Sequence, residues 1–410
     1  MEQSCLVVGG GLAGATAAFA LRSGGFEGRI TVVCEEPHQP YSKPELSKGV
    51  LRGEMPDQKI RVRPEQWYDK EDIALVLGRP ARRLDTAARQ VELTDGERLG
   101  YDSLLLATGG RPRLLPRSEG IPGVLALRTL DDAHALRDRL GPGRSLLVVG
   151  GGFIGAEVAA SARALGTEVT VLEAEAAPLS RVLPPLLSDT YVRLHREHGV
   201  RLLLGTGVQH LEAGGDGVLA VDSRGGRHRA DTVVVAIGIT PNTALAEAAG
   251  LHVDNGIVVD EYCRTSVPDI YAAGDVANHP NLLLGRRVRI EHWQNAQHQG
   301  AAAARTILGQ RHPFAEVPWV WSDQYDVNLQ IAGVPHPDDE VVVRGDADGR
   351  DFSAFLLRQG VLTAVIGVNR ADDVRAGRRL IADGCVPDRE LLRDGTSDLA
   401  ALATSLALPA

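Results

Sequence analysis

The chain has 410 residues, 44% of them hydrophobic and 24% charged, with a net charge of −9. That is a globular composition with material for two or three domains, and its acidic balance excludes a general nucleic-acid binder. No run approaches the roughly 18 consecutive apolar residues of a membrane span, and MEQSCLVVGGG enters a strand without a basic n-region or cleavage site, so a cytoplasmic protein with no membrane partner is expected.

In chain order, CLVVGG (5–10) is a β-branched run of the kind buried on both faces of a parallel sheet. It leads into the turn Gly9-x-Gly11-x-x-Gly14, a small-residue helix (ATAAFALRSGG) and a second strand, ITVVCEE (30–36), with Glu35 at its end. A glycine turn between strand and helix lets the backbone approach a pyrophosphate and aims free helix N–H groups at it. The acid after the second strand accepts ribose hydroxyls. The following HQPYSKPELSKGVLRG (38–53) contains no cysteine. YDSLLLATGGRPR (101–113) is a strand running into a turn at Thr108-Gly109, with Arg111 just beyond.

The glycine turn then recurs. SLLVVGG (145–151) precedes Gly150-x-Gly152-x-x-Gly155, with Ile154 inside the turn, and the helix AEVAASARALG follows, carrying Glu157. TEVTVLEAE (167–175) is the next strand and supplies Glu173. A carboxylate there favours a free 2′-hydroxyl, hence NADH over NADPH; Arg181 is the nearby cation that could serve a 2′-phosphate. TVVVAIGI (232–239) contains Gly238, and DIYAAGDVA (269–277) is a short strand ending at Gly274-Asp275. That aspartate suits a polyol hydroxyl, or else an Asx turn or a helix N-cap.

EHWQNAQHQG (291–300) holds Trp293, and VPWVWSDQYDVNLQIAG (317–333) holds two of the four tryptophans, Trp319 and Trp321. At i and i+2 on an extended segment these two face the same way. Strands are predicted at DEVVVRGD, FSAFLLRQ and LTAVIGVN, with a helix at ADDVRAGRRLIADG. The cysteines, Cys5, Cys34, Cys263 and Cys385, form neither CxxC nor CxxxxC, so neither a redox dithiol nor a metal site is expected.

The ordered set of GxGxxG with its acid, ATGGRPR, a second GxGxxG with its acid, and YAAGDVA resembles the flavoprotein pyridine-nucleotide reductases. The resemblance implies an α/β, glutathione-reductase-like fold with two Rossmann-type dinucleotide-binding domains and a C-terminal α/β domain. The implied layout is an FAD-binding domain of residues 1–112 and 240–316, an NAD-binding domain at 113–239 and a C-terminal domain at 317–410. FAD is assigned to Gly9, Gly11, Gly14, Glu35, Thr108, Gly109, Arg111, Gly274 and Asp275. NAD is assigned to Gly150, Gly152, Ile154, Gly155, Glu157, Glu173 and Gly238.

Disulfide reductases of that fold place a CxxxxC after the second strand, and this chain has none there. Its PYSKPELSKG and VPWVWSDQY are instead similar to the P-Y-x-R-P-P-L-S-K and P-W-F-W-S-D-Q-Y segments of the oxygenase-coupled, NADH-dependent ferredoxin reductases. This similarity implies that Lys48 lies near flavin N5 and pairs with Glu157, and that Lys43 (in place of the usual arginine), Trp293 and Trp321 also belong to the FAD site. Lys48, Glu157 and Trp321 form the implied catalytic set. The implied reaction passes electrons from NADH through FAD, one at a time, to a 2Fe-2S ferredoxin serving a haem-thiolate monooxygenase or Rieske dioxygenase. Docking is implied near the flavin and the C-terminal domain, with Arg286, Arg287, Arg289, Arg305 and Arg311 as candidate contacts, on a monomer or weak homodimer. The alternatives are a reductase of rubredoxin or another one-electron carrier, an NADH oxidase or peroxidase, which the missing cysteine disfavours, and an NADH-sensing flavoprotein of the apoptosis-inducing-factor type.

Overall fold

The computed structural model describes residues 3–215 and 217–406. They form two compact units. The first comprises residues up to Lys43, Pro56–Arg111 and Ile239–Pro318; the second comprises Pro44–Met55, Pro112–Gly238 and Trp319 onward.

The first unit is built on a five-stranded parallel sheet in the spatial order Ile270–Ala272, Ser103–Leu106, Ser4–Val8, Arg29–Val33, Ile73–Val76. Leu104, Leu105 and Leu106 are fully buried, as are Val7, Ile30 and Val32, which is why these strands read as unbroken apolar runs. Two helices, Leu12–Ser23 and Trp293–Ile307, pack closely on one another. A side chain at Gly300 would strike the Ala13 carbonyl, so only glycine permits this approach.

The second unit repeats the scheme. Its parallel sheet runs Arg201–Leu203, Glu168–Leu172, Ser145–Val149, Thr232–Val235, Val124–Leu125, with the helix Phe153–Ala164 entering directly after the Ser145–Val149 strand. It also contains a five-stranded antiparallel sheet, ordered Trp319–Gln324, Val327–Gly333, Val361–Val368, Asp351–Arg358, Glu340–Asp346, and the helix Ala371–Ala382.

The helix Pro185–Glu197 explains why residues 113–239 and 317–410 fall into one unit. Its Leu187, Tyr191 and Leu194 share a core with Leu329, Ile331, Phe352, Leu356 and Ile366 of the antiparallel sheet. Segment Pro44–Met55 joins the same unit, apart from the rest of 1–112, because the Phe153–Ala164 helix anchors it. Ser161 donates to the Ser47 carbonyl at 2.6 Å, and Arg52 donates to the Ser161 hydroxyl at 3.3 Å.

Among the described residues no helix is long and apolar enough to cross a membrane, and no group of three or more His, Cys, Asp or Glu is placed to hold a metal ion.

Candidate functional site

Each parallel sheet ends in a glycine turn with the same division of labour. Gly9 adopts φ +122°, and a side chain there would strike the Ala107 carbonyl; one at Gly14 would strike the Gly9 carbonyl. These two glycines are required by packing between strand, helix and the neighbouring turn. Gly11 differs: nothing lies within 4 Å of the position its Cβ would occupy. It caps the Leu12–Ser23 helix with no side-chain hydrogen bond and no acid in the first turn, so the helix end offers bare N–H groups to that open space. In the second unit Gly150 (φ +98°) and Gly155 are the packing glycines, while Gly152 is open and its helix end uncapped. Open space, bare N–H groups and a positive dipole end fit a dinucleotide pyrophosphate in each unit.

The two acids behave differently. Glu35 is exposed at the end of its strand, whereas the adjacent Glu36 accepts from Tyr41 and pairs with Lys43 at 2.9 Å. The Lys43 ammonium is thus tied to an acid of its own unit and also lies 4.8 Å above the Tyr41 ring. Glu173 is buried, with its two oxygens accepting the backbone N–H groups of Gly151 and Glu175. It fixes the glycine turn from behind, and each oxygen keeps a further lone pair. Arg181, highly exposed, faces Glu175 at 3.4 Å. Ile154 is 42% exposed on the first turn of its helix and gives the second cradle an apolar lip. Gly238 (φ +98°) is exposed, and its carbonyl accepts from the Arg113 amide.

In the first unit the turn after Ser103–Leu106 is clamped by Asn242. Its amide donates to the Thr108 carbonyl at 2.9 Å, its own carbonyl accepts the Thr108 hydroxyl at 2.8 Å, and Arg111 reaches its side chain at 3.3 Å. Gly109 sits at φ +63°. Gly274 (φ +82°) donates to Gln299 Oε1 at 2.8 Å, and Arg289 donates to the carbonyl of Asp275 at 3.1 Å. The Nε2 of Gln299 is buried with no partner among the described residues, an orphan donor of the kind a bound polar ligand satisfies. Trp293 donates to Ser42 at 3.0 Å.

The second unit contains a buried ion pair. Lys48 and Glu157 are 6% and 4% exposed, with Nζ 3.0 Å from Oε1. Lys48 also donates to the Pro44 carbonyl at 3.1 Å. Glu157 accepts the Ser47 hydroxyl on Oε2 and the Ser322 hydroxyl on Oε1 at 2.7 Å. The Phe153–Ala164 helix is buried throughout residues 155–162, and within that stretch the other side chains are small or apolar apart from Ser161. A carboxylate in that setting is costly without full pairing, and here it is fully paired.

Trp319 and Trp321 stack at 5.1 Å between centroids and lie on the face of their strand opposite Ser322 and Gln324. Of the five candidate docking arginines, Arg286, Arg287, Arg305 and Arg311 are exposed, while the Arg289 side chain is buried and paired with Glu291 at 2.7 Å. All four cysteines are free and buried; desolvation pushes the Cys34 thiol, behind the first glycine turn, up to about 12.

Several residues here carried no role in the sequence reading: Asn242, Gln299, Ser47, Ser322, Gln324 and His195. Ser47, Ser322 and Gln324 lie inside the quoted segments PYSKPELSKG and VPWVWSDQY, which was the available signal. His195, on the Pro185–Glu197 helix, meets Gln324 at 2.9 Å, and nothing in its local sequence signalled this.

The model of the pyridine nucleotide-disulphide oxidoreductase family matches residues 3–300, and that of the reductase C-terminal domain matches residues 319–403. The chain is 45% identical over 400 residues to the ferredoxin--NAD(+) reductase component of the anthranilate 1,2-dioxygenase system of Burkholderia cepacia, covering 96% of this chain and 98% of that protein. It is 43% identical over 381 residues to rhodocoxin reductase of Rhodococcus erythropolis, covering 92% and 89%. The solved covalent putidaredoxin reductase–putidaredoxin complex contains a chain that matches with a TM-score of 0.95 at 39% identity, covering 98% of this chain and 99% of that one.

Proposed function

The chain belongs to the pyridine nucleotide-disulphide oxidoreductase family, and from that premise we propose that it is an NADH-dependent, FAD-containing ferredoxin reductase serving an oxygenase. The observation that carries this reading is the buried Lys48–Glu157 pair at 3.0 Å, set in a segment with no cysteine. It is supported by full-length relatives named as ferredoxin reductases. Because NADH is a cytoplasmic reductant, the reaction is assigned to that compartment.

FAD held by these residues would supply the chemistry that links a two-electron hydride donor to a one-electron acceptor. The chain's own residues bind, orient and provide charge. In the first unit the bare helix end after Gly11 takes the FAD pyrophosphate and exposed Glu35 the adenosine ribose. Thr108, Gly109, Arg111, Gly274, Asp275 and Trp293 complete the FAD set in this reading. In the second unit the helix end after Gly152 takes the NADH pyrophosphate, Ile154 covers the ligand, and Glu173 receives a ribose hydroxyl on a lone pair left by Gly151 and Glu175.

Lys48 supplies a fixed positive charge for the negative charge that hydride arrival creates. Glu157 and the Pro44 carbonyl engage two of its three N–H donors and remove its rotamer freedom, leaving the third for the bound flavin. Trp321, stacked on Trp319, is assigned to the wall beside the flavin and the ferredoxin docking face. Exposed Arg286, Arg287, Arg305 and Arg311 supply the local basic charge that steering an acidic carrier needs on a chain of net charge −9.

The test is NADH-driven cytochrome c reduction with and without an added 2Fe-2S ferredoxin. A rate that rises with ferredoxin supports the proposal. A rate that stays at the carrier-free background removes it.

A further inference from the structure

Beyond the ion pair, a line of buried polar side chains crosses the apolar core of the second unit and ends on Glu157. Its hydrogen-bond directions follow from one starting point. A carboxylate only accepts, so Ser322, 2.7 Å from Oε1, must donate its single proton to Glu157. The Ser322 oxygen is then left to accept, and Nε2 of Gln324 donates to it at 3.1 Å. That turns Gln324 Oε1 toward His195, so His195 Nε2, at 2.9 Å, carries the proton. His195 Nδ1 is therefore an acceptor, and the Tyr325 hydroxyl donates to it at 3.1 Å. Every proton in the chain points toward Glu157. Desolvation holds His195 down to about 4, so its imidazole is neutral, with one donor and one acceptor as this order requires.

The surroundings do not explain the chain. Ser322, Gln324 and His195 are essentially inaccessible, set against a core of Leu187, Tyr191, Leu194, Leu329 and Ile331. Apolar side chains of similar volume would fill such a place without the cost of desolvating three polar ones. The three come from two elements, the Trp319–Gln324 strand and the Pro185–Glu197 helix, and converge on the one carboxylate that holds Lys48.

We propose that Ser322, Gln324 and His195 are positioning residues for Glu157: their one-directional hydrogen-bond chain holds the carboxylate in the single orientation that presents the Lys48 ammonium. This rests on the reading of Lys48 and Glu157 as the charged pair of the reacting centre. The chain moves no proton, because the Gln324 amide would have to change tautomer to pass one; it acts by orientation.

The test uses the FAD-loaded full-length protein and anaerobic stopped-flow mixing with NADH, following flavin bleaching over a range of NADH concentrations. Gln324→Leu and His195→Phe interrupt the chain, His195→Gln restores an N–H donor at the same place, and Glu157→Gln tests the underlying reading. Each substitution removes two hydrogen bonds of the chain, and the loss of orientation at Glu157 is expected to slow the limiting rate about tenfold in Gln324→Leu and His195→Phe. The dissociation constant for NADH and the bound FAD content are expected to stay within about twofold of the parent, and His195→Gln to bleach close to the parent rate. If Glu157→Gln is slow but Gln324→Leu and His195→Phe bleach at the parent rate, the positioning chain is overturned and the reading of the ion pair stands. A His195→Gln variant as slow as His195→Phe also overturns the chain, since packing rather than the donor would then matter. If Glu157→Gln itself bleaches at the parent rate, the reading of the ion pair fails and the chain falls with it.

Discussion

The Lys48 ammonium lies 3.0 Å from Glu157 Oε1, and both side chains are less than a tenth exposed. Removing one member of such a pair strands the other charge, which typically costs about 3–5 kcal/mol. Lys48→Ala is therefore expected to lower the melting temperature and to slow NADH-driven flavin bleaching while FAD stays bound. Single-turnover kinetics beside a thermal melt measure both. An unchanged bleaching rate in a folded, FAD-loaded variant would remove Lys48 from the reacting centre.

The open glycines separate the two cradles. Gly11 and Gly152 have extended backbone angles that alanine adopts without strain, and open space where its methyl would point. Gly11→Ala is expected to fold and to lose FAD, because the methyl occupies the pyrophosphate position. Gly152→Ala is expected to keep its FAD and to raise the KM for NADH about tenfold or more. FAD content by absorbance and the NADH dependence of ferricyanide reduction distinguish them. The opposite pattern would exchange the two assignments.

Glu173 accepts two backbone N–H groups behind the second turn. In Glu173→Gln the amide end of the side chain faces one of those donors, leaving a buried N–H unpaired at a cost of about 1–3 kcal/mol. The expected result is a higher KM for NADH and a smaller NADH-over-NADPH ratio, with FAD content unchanged. A preserved ratio would mean that the 2′-hydroxyl is read elsewhere.

Much of this was legible in the sequence where the determinant is local. The runs 5–10 and 145–151 became strands feeding glycine turns because continuous β-branched residues followed by Gly-x-Gly-x-x-Gly leave few alternatives. The three C-terminal strands and the helix after them appeared within a residue or two of DEVVVRGD, FSAFLLRQ, LTAVIGVN and ADDVRAGRRLIADG. What local pattern could not show is convergence. Ser322 meets Glu157 across 165 positions and His195 meets Gln324 across 129, contacts made by the packing of whole elements. The Lys48–Glu157 pair was accessible only through family resemblance, and the attachment of Pro44–Met55 to the second unit depends on Ser161, one turn along the helix from Glu157.

Acid sensitivity follows from three buried histidines. His195, His279 and His292 are each held down to about 4 by desolvation, against an ordinary value of 6.5. Below pH 6.5 the unfolded chain takes up protons that the folded chain refuses until about pH 4. Stability is therefore complete above 6.5 and falls as the pH drops through that window, by about 3 kcal/mol for each histidine at its lower end. The buried His279 ring packs edge-on against Phe314. His279→Leu is expected to flatten the loss of melting temperature between neutral pH and about pH 5. An equally steep loss would show that His279 does not contribute.

The central claim is that electrons enter as a pair from NADH and leave singly to a ferredoxin, with no thiol between. The most direct measurement is anaerobic: a variant with the four buried cysteines replaced by alanine, FAD retained, receives limiting NADH in the presence of excess oxidised 2Fe-2S ferredoxin, and reduced ferredoxin is counted. The account gives about two ferredoxins reduced per NADH, at a rate close to that of the parent protein. No ferredoxin reduced, or reduction abolished in the FAD-loaded cysteine-free variant, would contradict it.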